Sequence, residues 1–370
     1  MRYAVALSEH PDVTTAVGEV IGQTLERIGP GPDLAIIFLT GTHVLAAQEA
    51  GETVRATLGA RTLLGATASS VLAHRQEVEE TAAVVLWAGH IGTCRALRLE
   101  SGLPVPSDIP SGSTLLVVAD PFTYDPSLLL SSVPPGVNVV GGLASASSRP
   151  GGNRILLDAD AHDHGAVAVI LPPDIGAHPL VSQGCRPIGE PFTVTASEEN
   201  LIVELGGRSA IGRLSDLVSS ADEKTRALIS RGLHVGLVVD EQREAFELGD
   251  FLIRAVVGID RAQGAIAIGE LAPVGTTVQF QIRDAATASS ELRSLVKPLQ
   301  AESALVFTCN GRGTHLFGRS GHDAEHLADG LATSAVAGMF CAGEMGPVGG
   351  RQFLHGFTAS SLLLGTQHLV

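Results

Sequence analysis

Ser303-Ala-Leu-Val-Phe-Thr-Cys-Asn-Gly-Arg-Gly313 is an apolar stretch that ends in glycine and polar side chains, and Val336-Ala-Gly-Met-Phe-Cys-Ala-Gly-Glu344 repeats that pattern. Each stretch has the length and apolar content of a buried strand. Glycine at a strand end lets the backbone turn sharply or approach another group closely. A helix is predicted between the two stretches, around Ala324 to Leu331. The order strand, helix, strand predicts a β-α-β step.

The same order occurs twice earlier in the chain. The first copy is predicted to contain a strand, a helix and a strand rich in small residues, at Leu34–Leu39, Val44–Leu58 and Thr62–Ala68. The second is predicted at Leu115–Asp120, a helix that opens at Asp125-Pro126, and Val139–Ala144. Each is expected to continue into a hairpin that pairs Val71–His74 with Ala82–Trp87, or Arg154–Asp158 with Val167–Leu171. A looser copy is expected from His234 to Ile282, with a hairpin between Phe251–Gly258 and Ala265–Gly269.

These patterns predict an α/β (α+β) fold made of duplicated β-α-β-β units. Hairpins impose antiparallel pairing and β-α-β steps permit parallel pairing, so we expect mixed, largely antiparallel sheets with helices on the outer face. The segment from Leu171 to Pro179 is rich in proline and glycine and is a plausible link. We therefore expect two similar halves, residues 1–178 and 179–370.

Composition narrows the class of partner. The net charge of −15 and the pI of about 5.2 argue against nucleic acid and against an anionic membrane surface. No apolar run approaches the roughly 20 residues that span a bilayer, and the first residues do not form a secretory signal. The four cysteines have no paired spacing, which is typical of free thiols. We expect a cytoplasmic protein.

Several motifs together resemble the FIST family of bacterial sensory modules. The N-terminal half is similar to the FIST N-terminal domain in Asp33-Leu-Ala-Ile-Ile-Phe38, Leu64-Gly-Ala-Thr-Ala68, the Glu77/Glu79 turn and Val140-Gly-Gly-Leu-Ala144. The C-terminal half is similar to the FIST C-terminal domain in Ala304–Gly313, Val336–Pro347 and Phe353-Leu-His-Gly-Phe-Thr358. The resemblance covers nearly the whole chain.

The resemblance implies a sensory protein that binds a small ligand such as an amino acid. No output domain is visible in the sequence, so we expect the signal to pass to a protein partner. A protein-interaction adaptor without a ligand is the alternative. The sequence leaves the oligomeric state open.

Polar side chains at the strand ends of the C-terminal half are the predicted ligand-binding residues. Arg312 would grip a ligand carboxylate, and Glu344 would bind an ammonium group. The same two residues could instead be structurally paired, with each other or elsewhere. The full predicted set is Cys309, Asn310, Arg312, Gly343, Glu344, His355 and Thr358.

Other chemistry is less well supported by the sequence. Cys309 and Cys341 could form a redox or metal pair, but free cysteines usually pack as small apolar residues. His322-Asp-Ala-Glu-His326 matches a zinc-peptidase pattern, although no third ligand is evident and Asp323 also fits a helix cap. We predict no cofactor, no metal and no catalytic residue, and keep an enzyme that uses Cys309 as a lesser alternative.

Overall fold

A computed structural model describes residues 1–243 and 245–368 of the 370-residue chain. The strands in chain order are β1 (Tyr3–Ser8), β2 (Leu34–Thr40), β3 (Thr62–Ala68), β4 (Ser70–Ala73), β5 (Gln76–Glu79), β6 (Val84–Gly89), β7 (Arg95–Leu99), β8 (Thr114–Ala119), β9 (Asn138–Leu143), β10 (Ile155–Leu157), β11 (Asp160–His162), β12 (Ala166–Leu171), β13 (His178–Ser182), β14 (Cys185–Glu198), β15 (Leu201–Leu205), β16 (Arg208–Ser209), β17 (Leu233–Val238), β18 (Phe251–Asp260), β19 (Ala265–Ile268), β20 (Thr277–Arg283), β21 (Leu299–Gln300), β22 (Ser303–Cys309), β23 (Val336–Cys341), β24 (Glu344–Val348), β25 (Arg351–His355), β26 (Ala359–Leu364) and β27 (Gln367–His368). The α-helices are α1 (Val13–Ile28), α2 (Ala47–Leu58), α3 (Ser127–Ser132), α4 (Ala210–Ser220), α5 (Glu223–Arg231), α6 (Ala285–Val296), α7 (Gly313–Phe317) and α8 (His322–Gly330).

The residues form two compact units. The first contains Met1–Val181, Leu292–Pro347 and the chain from Gln352 onward, and the second contains Ser182–Glu291 with Val348–Arg351. The expected boundary between residues 178 and 179 concerns domains along the sequence, whereas these units combine segments that are distant in sequence. That boundary therefore stays a prediction. The mixed α+β fold class is confirmed.

Three β-α-β copies build the first unit. Each contributes a parallel pair of strands, β2 with β3, β8 with β9, and β22 with β23. Each copy also supplies a last strand, β6, β12 or β26, that pairs antiparallel with its first strand. An outer strand then extends each sheet, so that the three sheets share one strand order.

The three copies exchange their hairpins in a cycle. The pair β4–β5 of the first copy completes the sheet of the third, β10–β11 of the second completes the sheet of the first, and β24–β25 of the third completes the sheet of the second. The hairpins predicted between Val71–His74 and Ala82–Trp87, and between Arg154–Asp158 and Val167–Leu171, are therefore wrong. Here β4 pairs with β5 and β10 with β11, while β6 and β12 return to their own sheets.

One apolar core joins the three sheets. It includes side chains from all three copies, among them Phe38, Val118 and Phe307. The opposite faces of the sheets are covered by α1 and α2, by α3, and by α6 and α8. Helices therefore lie on the outer faces, as the amphipathic patterns predict.

The second unit has a seven-stranded antiparallel sheet in the order β14-β20-β17-β18-β19-β15-β16. The hairpin expected within its looser copy is present, because β18 pairs with β19. All the pairings described in this sheet are antiparallel, so it lacks the parallel step of the three copies. In the part of the chain that the structure describes, no helix has both the length and the apolarity needed to cross a bilayer.

Candidate functional site

The parallel strands β22 and β23 end side by side at Cys309 and Cys341. The amide of Cys309 donates to the carbonyl of Thr358 at 2.9 Å, and the amide of Asn310 donates to the carbonyl of Cys341 at 3.0 Å. The turn then closes through the amide of Arg312, which donates to the carbonyl of Cys309 at 2.8 Å. The strand ends thus bring three separate segments of the third copy together.

Arg312 is completely buried and has a carboxylate partner within the protein. Its Nε donates to Oδ2 of Asp323 at 2.7 Å and its Nη2 to Oδ1 at 2.8 Å, in the bidentate geometry that guanidinium favours. Thr308 Oγ1 donates to the same carboxylate at 2.8 Å. Burial alone would raise the pKa of Asp323, but the Arg312 guanidinium and hydrogen bonds from Arg312 and His322 hold it well below its usual range. Of the pairings considered for Arg312 and Glu344, the structure contains Arg312 with Asp323.

Glu344 begins β24 and lies opposite Gly142 of β9. Its side chain is fully buried, and Oε2 accepts hydrogen bonds from the Thr358 amide at 3.1 Å and the Thr358 hydroxyl at 2.8 Å. Within residues 1–243 and 245–368, Oε1 has no nitrogen or oxygen partner. Burial raises the pKa of Glu344 to about 8, although hydrogen bonds from Thr358, the charge of Arg312 and the Cys309 thiol oppose the rise. This carboxyl is therefore largely protonated at neutral pH.

Cys341, the second cysteine of the pair, is enclosed in the protein interior. Cys341 is fully buried, and burial raises the pKa of its thiol well above the usual value. A Cβ on Gly142 would overlap the Cys341 sulfur, so glycine at this position makes room for the thiol. A protonated, enclosed thiol is a poor nucleophile.

Three other predicted residues lie around this point but face different neighbours. Asn310 is half-buried, and its Oδ1 accepts a hydrogen bond from Ser69 at 2.9 Å. A Cβ on Gly343 would lie 3.1 Å from a methyl carbon of Leu143. The ring of His355 is 3.0 Å from the carbonyl oxygen of Gly346. The structure therefore gathers Cys309, Glu344 and Thr358 most closely.

Two glutamates of the first copy accept hydrogen bonds from amides at the starts of α7 and α8. Sequence reasoning missed this role. Glu77 accepts hydrogen bonds from the amides of Gly321, Asp323 and Ala324, which lie at the N-terminus of α8. Glu79 accepts from the Thr314 amide at the start of α7. Carboxylates there satisfy amides that have no partner within the helix. Burial, together with the nearby charge of Asp323, raises the pKa of Glu77 to about 7. Their alternation within β5 was the one available signal, because the helices follow more than 200 residues later.

The histidines of the zinc-like motif stack instead of opening toward an ion. The ring of His322 lies 3.3 Å from the ring centre of Phe317 and 4.1 Å from that of His326. One ring nitrogen of His322 is 2.9 Å from Asp323 Oδ1. Across the described ranges, no group of three His, Cys, Asp or Glu residues has a metal-binding arrangement. Asp323, considered as a helix cap, is instead the partner of Arg312.

Two models of known protein families match this chain. The FIST N domain matches residues 33–208 and the FIST C domain matches residues 210–347.

The chain belongs to the FIST family.

FIST domains are associated with sensory, ligand-binding signalling. Similar chains include "Uncharacterized protein Rv0628c" of Mycobacterium tuberculosis, which is 40% identical over 383 residues, with 98% of this chain and 99% of the relative covered. "Uncharacterized protein Mb0898c" of Mycobacterium bovis is 40% identical over 382 residues, with 98% of each chain covered. The FIST C match contains Cys309, Arg312 and Glu344, so the buried acid belongs to the family domain.

The raised pKa of Glu344 predicts a pH-dependent stability. The carboxyl has a usual pKa of 4.5 and a folded-state value of about 8, so between these values the folded protein binds a proton that the unfolded chain has released. The contribution of Glu344 to stability is therefore present below about pH 4.5 and is lost as pH rises toward 8. Between about pH 5 and about pH 8, we expect the free energy of unfolding of the wild type to fall, relative to that of Glu344→Gln, by about 1 kcal/mol per pH unit.

Urea unfolding, followed by the fluorescence of the single buried tryptophan Trp87, measures this difference. Glu325→Gln is the matched control, because Glu325 is held by Arg319 and its pKa is lowered by that hydrogen bond. The control should keep a constant offset from the wild type over the same pH range. A Glu344→Gln offset that is equally constant would show that Glu344 does not retain its proton in the folded protein.

Proposed function

We propose that this chain is a cytoplasmic sensory protein that binds a small polar molecule with an amine group, such as an amino acid. The binding site would be the strand ends of the third copy, with Glu344, Thr358, Cys309 and Asn310 as its polar residues. The observation that carries the proposal is the Glu344 carboxyl, which is fully buried while its Oε1 has no nitrogen or oxygen partner in the described chain. The Cys309 thiol, which is a weak donor, also bonds to this carboxyl, but buried polar atoms nearly always have a stronger partner, so Oε1 requires an explanation.

An amine is the ligand group that best fits this atom. An ammonium group would donate to Oε1 and stabilise the ionised carboxylate, because an adjacent positive charge favours the charged form. The position also supports the proposal, since ligands of α/β sheets commonly bind beyond the carboxyl ends of parallel strands. Because Glu344 is largely protonated beforehand, binding of an ammonium ligand near pH 7 should release a proton.

Arg312 has a supporting part in this proposal. Its guanidinium is held by Asp323, and its charge lowers the pKa of Glu344 against the effect of burial. A ligand carboxylate would have to compete with Asp323 for Arg312, so recognition is assigned to the amine end of the ligand. Gly343 and His355 would complete the flanks of the site.

Isothermal titration calorimetry with a panel of L-amino acids and simple amines tests the proposal. We expect at least one amine-bearing compound to bind the wild type, with heats in two buffers that reveal proton release. Glu344→Gln should weaken that binding about tenfold or more, since it removes the charge but not the shape. The control variant Glu325→Gln should bind like the wild type. Equal affinity of wild type and Glu344→Gln would rule out the proposed role of Glu344.

Signalling through a protein partner is the second part of the proposal, and an adaptor without a ligand is the alternative. The second unit favours a partner, because Val257, Ile259, Leu271 and Val274 each have more than half of their surface exposed. Exposed apolar side chains that lie together are typical of protein-interaction surfaces, and Val257 and Ile259 are two residues apart on β18. If none of the titrations detects a ligand, this adaptor function becomes the better candidate. All four cysteines are free thiols, which agrees with a reducing cytoplasm.

A further inference from the structure

A cleft lies at the strand ends of the second copy. Its volume is about 450 Å³, within the range of small-molecule sites. The lining includes Phe122, Tyr124, Asp125, Pro126, Leu143 and Leu354. Leu354 comes from the hairpin of the third copy, which completes the sheet of the second.

The cleft occupies a position related to that of the Glu344 site. The amide of Asp120 donates to the carbonyl of Gly165, as the amide of Cys309 donates to that of Thr358, so the two residues are equivalent in their copies. Asp120 is buried, and its Oδ2 accepts from the Phe122 amide at 3.1 Å and the Thr123 hydroxyl at 2.7 Å. These bonds fix the loop and leave the Phe122 ring 42% exposed beside the cleft.

The lining combines an apolar wall with polar side chains and a single negative charge, since Ser101, Thr123 and Tyr124 also line the cleft. Phe122, Leu143 and Leu354 offer an aromatic and aliphatic surface, and no lysine or arginine is among the lining residues. Asp125 Oδ1 accepts from the amide and the hydroxyl of Ser127, at 2.9 and 2.6 Å. These hydrogen bonds lower the pKa of Asp125, so its carboxylate is charged at neutral pH.

We infer that this cleft binds an aralkylamine, a flat aromatic ring with a short chain that ends in an ammonium group. The ring would pack against Phe122, Leu143 and Leu354, and the ammonium would pair with Asp125. The site is distinct from the one proposed above, because its lining contains none of the four polar residues assigned there, Cys309, Asn310, Glu344 and Thr358. The inference therefore goes beyond the proposed function and adds a second ligand site.

Calorimetric titration with tryptamine tests the inference. Indole-3-propionate is the comparison probe, because it has the same ring and the opposite charge. Wild type should bind tryptamine saturably and more tightly than indole-3-propionate. Phe122→Ala removes the exposed ring and should weaken tryptamine binding about tenfold. Asp125→Asn keeps the acceptor for Ser127 and removes the charge, so it should weaken tryptamine binding about fivefold. The same variant should bind indole-3-propionate at least as tightly as the wild type does.

Glu344→Gln separates this site from the other. That variant should bind tryptamine like the wild type. Absence of saturable tryptamine binding by the wild type would overturn the inference. Equal binding of tryptamine by the wild type and Phe122→Ala would also overturn it. So would a loss of tryptamine binding in Glu344→Gln while Asp125→Asn still binds like the wild type, since tryptamine would then occupy the Glu344 site.

Discussion

Replacing Gly338 with alanine is expected to lower the free energy of unfolding by about 3 kcal/mol or more. Gly338 lies within β23 opposite Val306 of β22. A Cβ at this position would overlap the carbonyl oxygen of Val306 and crowd its carbonyl carbon. These are backbone atoms of a paired strand, so no side-chain rotation can relieve the overlap and the two strands would have to separate.

The same relation holds at one position in each copy, which makes the prediction specific. Gly65 faces Ile37 and Gly141 faces Val117, each at the fourth residue of the first strand of its copy. A Cβ on Gly65 would lie 2.5 Å from the Ile37 carbonyl oxygen, and one on Gly141 would overlap that of Val117. Close approach of the two parallel strands is therefore built into the repeated unit, and Gly141→Ala should resemble Gly338→Ala.

Gly22→Ala provides the matched control. Gly22 lies inside α1, and a Cβ there would have no heavy atom within 4 Å. Alanine should stabilise the helix by about 0.5–1 kcal/mol, because it restricts the unfolded chain and favours helix. Chemical unfolding monitored by Trp87 fluorescence measures all of these variants. If Gly338→Ala and Gly22→Ala differ by less than about 1 kcal/mol, the close approach of β22 and β23 is not what requires glycine.

The sequence predicts the repeated unit well because its signals are local. Buried strands are recognised as continuous apolar runs, and the order strand, helix, strand permits a parallel pair in each copy. The exchange of hairpins is not local. A short strand such as β4 can pair with any open sheet edge, and nothing in its residues distinguishes the edge of its own copy from β23 of another.

The candidate site shows the same limit. Cys309 ends β22, and Glu344 and Thr358 come shortly after the ends of β23 and β25, so the order of elements is enough to expect the three residues near one another. The partner of Arg312 is harder to predict, since Asp323 also suits a helix start and a zinc-like motif. The burial of Glu344 depends on the pairing of β24 with β9 of a different copy, which the sequence does not specify.

Replacing Arg312 with methionine is expected to lower the free energy of unfolding by about 3–5 kcal/mol. The change keeps an unbranched apolar stem in place of the aliphatic part of arginine but leaves the Asp323 carboxylate buried without its cation. Thr308 and His322 still contact that carboxylate, although hydrogen bonds alone do not replace a bidentate guanidinium. Urea unfolding at neutral pH provides the measurement.

The double variant Arg312→Met with Asp323→Asn decides whether charge pairing is the cause. Removing both charges should be less destabilising than removing Arg312 alone, because no uncompensated charge remains, and the coupling between the two sites should exceed about 2 kcal/mol. The Arg312→Met variant should also become less destabilised at acidic pH, since a buried Asp323 without its cation takes up a proton more readily. Arg95→Met, which removes the exposed partner of Asp108, should change stability little. Additive effects of Arg312→Met and Asp323→Asn, with no dependence on pH, would mean that Arg312 stabilises the fold through packing against its neighbours and not through its charge.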